Sequence, residues 1–296
     1  SLEKGNKTKN IFADNLYKDI IDNSSNNSTV FNAVLQNLVD QKFPVNDDMK
    51  EDAATIIKQI KSAYKSNYGD NYKDSLNQAL TSAGYKNLSE YRQRMIKQIQ
   101  YANFLLDYID DHFDDVFNDY YQQCAPKYVS LIKISVSDTS SPTDDETSKL
   151  NEVKELISNT DKSFGDIAQD YSDDSTSSKK GSLGIVDSKD TSGIANSYGK
   201  DVFNAIEALS EGQVSDVITG DDGYYFVKVT STDKKTLKKE LKKTDIDSPL
   251  LAYDDYLQYV VYNSYKINYK DKDIKKIVQE VVNKALEERK TERGEA

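Results

Sequence analysis

The spacing of apolar residues changes near Pro126, and this change constrains the fold more than any other feature of the sequence. Before Pro126, apolar residues recur every three or four positions, which is the period of an amphipathic helix. After it, residues 128–136 form a short run rich in apolar and β-branched residues, which is typical of a strand. The sequence therefore predicts a helical part followed by an α+β part.

The helical part has recognisable helix ends. Pro44 interrupts the first apolar stripe, and Asn46 is a candidate N-cap for the next helix. Gly69 and Gly84 are candidate stops for the two helices that follow. The longest stripe spans residues 88–116 with a period near 3.5, which predicts one continuous helix that needs a partner helix along its length.

The order of elements in residues 128–232 predicts one compact α+β unit. After the strand, Thr143 and Glu146 have the spacing of a capping box, so a helix should begin there. Two shorter helices follow, separated by a polar loop over residues 172–193. Residues 220–223 (GDDG) then lie between two apolar runs, which is a strong hairpin signal.

These patterns predict three domains, which are an N-terminal helical domain (1–127), the α+β unit (128–232) and C-terminal helices (233–296). Residues 274–286 place an apolar stripe on the last helix. Both ends of the chain therefore have apolar helical faces that need partners. We expect the C-terminal helices to pack on the N-terminal domain around the central unit.

Charge and composition exclude several classes of function. The net charge of −11 disfavours nonspecific binding to nucleic acid or to an anionic membrane surface, and no segment has the roughly 20 apolar residues of a membrane span. The polar residues 1–6 are unlike a signal peptide.

Cys124 is the only cysteine, so an internal disulfide is excluded, and we interpret its side chain as a small packed apolar group. The only histidine, His112, lies among four aspartates, which favours a solvated acidic helix face over the alternative of a weak divalent-cation site.

Three segments of the central unit together resemble the parvulin-type (PpiC-type) peptidyl-prolyl isomerases. Residues 171–184 (YSDDSTSSKKGSLG) resemble the serine-rich loop of that family, residues 209–216 (LSEGQVSD) resemble its Leu-x-x-Gly-Glu-Val-Ser element, and residues 223–228 (GYYFVK) resemble its closing Gly-Tyr-His-Ile-Ile-Lys strand. Their order and spacing match the family. Around them, residues 68–70 and 265–275 resemble the flanking domain of PrsA-type foldases.

This resemblance implies an α+β protein in which a parvulin-like domain, a small antiparallel sheet with helices, is inserted between N- and C-terminal helices that form a mostly α chaperone domain. It implies binding of unfolded or partly folded exported proteins at the outer face of the cytoplasmic membrane of a Gram-positive-type bacterium. Membrane attachment would need a lipid anchor that is absent from this chain, because Cys124 lies too far inside to be the anchoring cysteine. A homodimer through the N-terminal helices is one assembly that the long apolar stripe allows. The resemblance implies no cofactor, metal or nucleic acid.

The resemblance also assigns the candidate site residues. An isomerase of this kind must lower a rotational barrier of roughly 18–20 kcal/mol at the prolyl amide, for which the family uses two facing histidines, a Cys or Asp near the carbonyl, and Met and Phe at the proline ring. Leu131 and Tyr225 take the two histidine positions, and Asp174 takes the Cys/Asp position. Phe203 is the candidate for the pocket Phe, whereas the pocket Met has no match near Tyr198.

The loss of both histidines favours a foldase whose isomerase activity is weak or lost. Two alternatives remain, an active isomerase that depends on the electrostatics of Asp174, and a non-catalytic envelope scaffold. Asp174 itself has a structural interpretation, in which its carboxylate only caps the serine-rich loop. Leu131 and Tyr225 are expected on neighbouring strands in an apolar contact, so that the tyrosine hydroxyl must find another partner or water.

Overall fold

A computed structural model describes residues 2–4, 7–9, 17, 20–21, 23–242 and 246–295 of the chain. The polar opening stretch, residues 1–6, lies partly outside the described residues. The chain forms two compact units. One comprises Ser1–Asp111 and Asp255–Ala296, and the other comprises His112–Asp254. The predicted α+β range, residues 128–232, lies within the second unit.

The first unit begins with a short hairpin and continues with helices. Its elements before the crossing into the second unit are β1 (Leu2–Lys4), β2 (Lys7–Lys9), α1 (Asn27–Lys42), α2 (Asp47–Tyr68), α3 (Tyr72–Ser82) and α4 (Leu88–Asp111). The second unit contains α5 (Phe113–Cys124), β3 (Lys127–Ser135), α6 (Asp144–Asn159), α7 (Phe164–Tyr171), β4 (Ser182–Val186), α8 (Ile194–Tyr198), α9 (Lys200–Ala208), β5 (Ile218–Thr219), β6 (Gly223–Ser231) and α10 (Lys234–Leu241). The chain then returns to the first unit with α11 (Leu257–Ser264) and α12 (Lys272–Glu292).

The helix ends follow the capping residues. The Asn46 side chain accepts a hydrogen bond of 3.0 Å from the backbone N–H of Met49 at the start of α2, and Gly69 ends that helix with a φ of 54°. Thr143 and Glu146 form the predicted capping box at α6, where the Glu146 carboxylate accepts the backbone N–H of Thr143 at 2.7 Å. Hydrogen bonds from the backbone to this carboxylate lower the pKa of Glu146 to about 2.

The prediction of one helix over residues 88–116 is wrong, because the helix breaks at His112. This residue has a φ of −119° and a ψ of 26°, outside the helical region, and it separates α4 from α5. In one continuous helix Asp110 and Asp111 would lie four positions before Asp114 and Asp115, where like charges repel. After the break, Asp114 and Asp115 occupy the first turn of α5, where the helix dipole favours negative charge.

Aromatic residues hold α1 against the C-terminal helices in the core of the first unit. The fully buried ring of Phe31 on α1 stacks on Tyr259 with 4.8 Å between centroids and meets Tyr262 edge-on at 5.2 Å. On α4, the buried amide of Gln100 donates to the carbonyl of Phe43 at 2.6 Å, so this polar group is satisfied in the core.

The second unit is built on a four-stranded antiparallel sheet in the order β4-β3-β6-β5. Alternate residues of the two central strands point to opposite faces, and each face is buried. One face contributes Val129, Leu131, Tyr225 and Val227 to a cluster under α8 and α9, and the other contributes Ile132, Ile134 and Phe226 to a cluster under α6 and α7. The α+β fold class is therefore confirmed.

The prediction of a loop over residues 172–193 is partly wrong, because the segment contains β4. This strand pairs with β3 at the edge of the sheet, and its sequence, Ser-Leu-Gly-Ile-Val, is too short and too rich in small residues to show a strand period. Gly181, just before it, has a φ of 74°, and a Cβ at this position would collide with the carbonyl oxygen of Leu131. The close approach of the two backbones therefore needs glycine.

Helix α5 belongs to the second unit through a buried hydrogen bond. The hydroxyl of Tyr120 donates to the fully buried carboxylate of Asp187 at 2.8 Å, and the same carboxylate accepts the hydroxyl of Thr191. Burial and the neighbouring carboxylate raise the pKa of Tyr120. The ring of Tyr253 packs edge-on against Tyr120 at 5.3 Å, so residues on both sides of the range 128–232 complete this core.

Hydropathy along the described helices gives no membrane span, since none of them is both long and apolar enough to cross a bilayer.

We predict that a fragment of residues 128–232 folds on its own, but that a fragment of residues 112–254 is more stable. The shorter fragment lacks Tyr120, and a buried carboxylate that loses a donor typically costs about 1–3 kcal/mol. The measurement is urea unfolding of both fragments. Tyr120→Phe in the longer fragment should account for part of the difference. Equal midpoints would contradict the role of Tyr120, and the lack of a dispersed amide spectrum from residues 128–232 would contradict autonomous folding.

Candidate functional site

An open cleft of about 610 Å³ lies beside the β5–β6 hairpin of the second unit. One wall comes from α8 and the start of α9, and the other comes from the hairpin turn. Two tyrosines, Tyr198 and Tyr225, line it together with polar and charged residues, namely Asn196, Ser197, Lys200, Asp201, Thr219, Asp221 and Asp222. The cleft is therefore a polar surface with two aromatic rings.

Leu131 and Tyr225 lie on neighbouring strands and on the same face of the sheet. In the β3–β6 register, Leu131 is paired with Val227, and Tyr225 is paired with Lys133 two positions further along β3. Both side chains belong to one apolar cluster, in which Leu131 is fully buried and Tyr225 is 2% exposed. Leu131 therefore contributes no polar group to the site, and Tyr225 contributes its ring edge and hydroxyl.

The Tyr225 hydroxyl is held in a chain of polar contacts. It donates to one carboxylate oxygen of Asp222, and the other oxygen of Asp222 accepts the ammonium of Lys133. The Lys133 ammonium also lies 5.7 Å from the centre of the Tyr225 ring, within reach of a cation–π contact. The hydrogen bond from the Lys133 ammonium, followed by that from the tyrosine hydroxyl, lowers the pKa of Asp222, whereas burial and then the hydrogen bond to the Asp222 carboxylate raise the pKa of Tyr225.

Gly220 allows this arrangement. A Cβ on this residue would lie 2.6 Å from a ring carbon of Tyr225, which is closer than two carbon atoms can approach. A side chain at this position would therefore displace the tyrosine ring, and glycine lets the turn lie against it.

Asp174 lies near Tyr198, which lines the cleft. One Asp174 oxygen accepts the backbone N–H of Thr176 at 2.8 Å and the Thr176 hydroxyl at 2.6 Å, which is the capping role expected under the structural interpretation. Burial, followed by the negative charge of the nearby Asp174 carboxylate, raises the pKa of Tyr198. The Tyr198 ring meets Tyr225 edge-on at 6.2 Å.

Phe203 lies on α9, where it is half-buried against the apolar cluster that contains Leu131 and Tyr225. It supports the sheet face beneath the site and is not among the described residues that line the cleft. The structure therefore brings Leu131, Tyr225 and Phe203 into one cluster, and Asp174 lies near Tyr198 at the cleft.

Sequence reasoning missed three residues of the site, which are Lys133, Asp222 and Tyr198. Lys133 follows Leu131 by two positions and so shares its inward face, which makes it a charged residue in an otherwise apolar row. That pattern is a usable signal for an acidic partner nearby. Asp222 was recognised only as a turn residue, and its contact with Tyr225 depends on the geometry of the turn.

Metal binding has no evident site in the described part of the chain, where no three His, Cys, Asp or Glu side chains converge. His112 lies at the start of α5.

Comparison with known proteins finds one family model that matches the central part of the chain. Residues 131–231 match the family model "Rotamase: PPIC-type PPIASE domain". Over 141 residues, 45% of this chain, the sequence is 32% identical to the curated foldase protein PrsA of Staphylococcus aureus and 32% identical to that of Staphylococcus epidermidis. The match covers 41% of the length of these relatives.

Solved PrsA structures are also similar to the chain over most of its length. PrsA from Streptococcus pneumoniae has a TM-score of 0.43 at 18% identity, with 95% of this chain and 98% of that chain covered. PrsA from Bacillus subtilis has a TM-score of 0.42 at 21% identity, with 90% and 93% covered.

We predict that Asp222→Asn destabilises the protein at neutral pH by about 0.5 kcal/mol, a value typical of partly exposed ion pairs. Because the pKa of Asp222 is lowered in the folded protein, its contribution is present above the ordinary Asp pKa and is lost as pH falls through the lowered value. The difference in the free energy of unfolding between Asp222→Asn and the wild type should therefore be smaller at acidic pH than at neutral pH. Urea unfolding at both pH values measures this difference.

Asp221→Asn is the matched control, because the neighbouring Asp221 lines the same turn but has no ion pair within the described residues. Equal destabilisation by the two variants, or a difference for Asp222→Asn that persists in acid, would contradict the prediction.

Proposed function

We propose that this chain, whose residues 131–231 belong to the PPIC-type peptidyl-prolyl isomerase family, is an extracytoplasmic foldase that binds exported non-native polypeptides. We further propose that the isomerase activity of this domain is weak or lost. The curated relatives are named foldase protein PrsA, and the chain spans 41% of their length. Their name and the family match support the foldase assignment.

The surroundings of Leu131 and Tyr225, which take the positions of the two family histidines, are the observation that most supports weak isomerase activity. Leu131 is fully buried and apolar, and the Tyr225 hydroxyl is already engaged by Asp222. Rotation of a prolyl amide is accelerated when preorganised polar groups face the changing charge on the amide. A hydroxyl that donates to a carboxylate of the protein itself has no second proton to offer the substrate.

The cleft remains suited to binding an extended chain. Its two tyrosines offer apolar rings with polar tips, a combination that suits peptide contacts. The polar walls can satisfy the backbone of a bound segment. We therefore assign this cleft to client binding, with Tyr198 and Tyr225 as contact residues and Phe203 as support.

An active isomerase is the second candidate function. The proximity of Asp174 to Tyr198 favours it, because the negative charge of Asp174 acts on a residue that lines the cleft. Under this alternative Asp174 is the main electrostatic group, and the histidines of the family act as orienting groups that this domain does without.

We also propose that the three predicted ranges correspond to functional parts, with chaperone activity in the helices of 1–127 and 233–296. The clients would be unfolded or partly folded exported proteins. The proposed location is the outer face of the cytoplasmic membrane in a Gram-positive-type bacterium, with attachment through a lipid anchor and a homodimer through the N-terminal helices as further proposals.

We predict that cis/trans exchange of short X-Pro peptides, followed by NMR exchange spectroscopy, is on the order of 100-fold slower than with a parvulin that has both histidines. Leu131→His combined with Tyr225→His should raise the rate. Adding Phe203→Ala should abolish that gain, because the support beneath the site is lost.

Asp174→Ala in the natural background separates the two candidate functions. It should leave a weak rate nearly unchanged if the domain mainly binds. A wild-type rate comparable to that of active parvulins on several peptides, together with a large loss in Asp174→Ala, would establish the active isomerase instead.

We predict that most of the suppression of client aggregation resides in the helical ranges. A chain that joins residues 1–127 to 233–296 should retain most of the activity of the full chain, as measured by light scattering of a denatured client. The isolated range 128–232 is the comparison. Suppression by that range alone would contradict the assignment, and an inactive full chain would favour the scaffold function.

A further inference from the structure

A groove of about 480 Å³ lies between α2 and the beginning of α4 in the first unit. It is lined by Ala54, Ile57, Lys58, Lys61, Leu88, Ser89 and Arg92. Ile57 and Leu88 supply the apolar surface, and the short side chains of Ala54 and Ser89 leave room between the helices. The groove is therefore an apolar recess with three cationic side chains at its edge.

The α2 side of the groove follows one helical face. Ala54, Ile57, Lys58 and Lys61 are spaced by three, one and three residues, which places all four on the same side of the helix. Ile57 belongs to the buried face of α2 together with Met49 and Ala53. Ala54, Lys58 and Lys61 are exposed beside that face. The groove therefore lies where the buried face of α2 borders its exposed, lysine-bearing side.

The three cations of the groove lack acidic partners within the described part of the chain. Lys50 bonds Asp47 at 2.8 Å and Lys97 bonds Asp40 at 2.7 Å. Lys58 and Lys61 have no such ion pair among the described residues, and the guanidinium of Arg92 donates to the backbone carbonyl of Lys50 at 3.3 Å. Three cations at the edge of one recess are therefore available to an acidic ligand.

We propose that this groove binds non-native polypeptide segments in which an apolar side chain is flanked by Asp or Glu residues. The apolar side chain would enter the recess over Ile57 and Leu88, and the flanking carboxylates would meet Lys58, Lys61 and Arg92. The inference rests on the proposed function in that it takes the ligand to be a client chain. It adds a second binding surface with its own charge preference, on a unit other than the one that contains the cleft.

The charge of the groove is opposite to the net charge of the protein. The overall negative charge of the protein disfavours the approach of acidic segments, and the aspartates at the cleft disfavour them further. A cationic and apolar recess is the chemistry that compensates for this repulsion.

The test uses the full chain and a fluorescein-labelled peptide with two leucines placed among glutamates. Lys58→Glu combined with Lys61→Glu should weaken binding on the order of tenfold, as measured by fluorescence anisotropy, because two attractions become repulsions. A peptide with lysines in place of the glutamates should bind the wild type more weakly. Raised salt should weaken binding of the acidic peptide.

Lys73→Glu combined with Lys86→Glu is the matched control, because both lysines are exposed in the same unit and lie outside the groove. It makes the same change in net charge and should leave the affinity nearly unchanged. Ala54→Tyr provides an independent variant that fills the recess and keeps every charge, and it should also weaken binding. Circular dichroism checks that each variant remains helical.

Equal affinity of the wild type and the Lys58/Lys61 variant would overturn the proposal, as would equal loss in the control pair or tighter binding of the lysine peptide. Suppression of client aggregation distinguishes this failure from failure of the proposed function. If the wild type suppresses aggregation but the groove variants bind the acidic peptide normally, the foldase function stands and the groove assignment falls. If the wild type binds no peptide and suppresses no aggregation, both fall.

Discussion

The pairing of β3 with β6 is the constraint on which the second unit and its candidate site depend. These two strands are central in the sheet, and both of their faces are buried under helices. A slip of one residue would exchange the two faces, so that Lys133 and Tyr225 would leave the cleft side together. The register is fixed because each alternate set of side chains has its own apolar cluster to fill. Close backbone approach at Gly181 allows β4 to complete the same sheet.

This register also explains how Leu131 and Tyr225 share one cluster without leaving a buried polar group unsatisfied. Leu131 brings no polar group to the cluster. Tyr225 brings a hydroxyl, which donates a hydrogen bond to Asp222, while Lys133 balances the charge of Asp222. A buried hydroxyl without a partner would cost free energy comparable to a lost hydrogen bond, so the contact with Asp222 stabilises the buried tyrosine. The site therefore has a polar edge, but its polar groups are committed to one another.

Much of the fold could be predicted from the sequence, because the relevant signals are local. Asn46 and the pair Thr143–Glu146 cap helices through contacts within one turn, and the change of period near Pro126 separates helices from sheet. Strand β4 and the break at His112 were missed, since an edge strand of five residues shows no clear period and a run of aspartates can be either a helix face or a helix start.

At the site, the expectation that Leu131 and Tyr225 lie on neighbouring strands is confirmed. The ion pair of Lys133 with Asp222 joins residues 89 positions apart, so it could not be predicted without the register and the turn.

The two candidate binding surfaces differ in chemistry, and the difference has a consequence for a protein of this charge. The cleft of the second unit offers aromatic rings among hydroxyls and carboxylates, which suits backbone polar groups and neutral or basic side chains. The groove of the first unit offers an apolar recess edged by cations, which suits apolar side chains flanked by acids. Non-native chains expose both kinds of segment, and a single surface cannot favour both, because the charge that attracts one repels the other. Under the two proposals, recognition is divided between one surface on each unit, so that segments of either charge find a surface that attracts them.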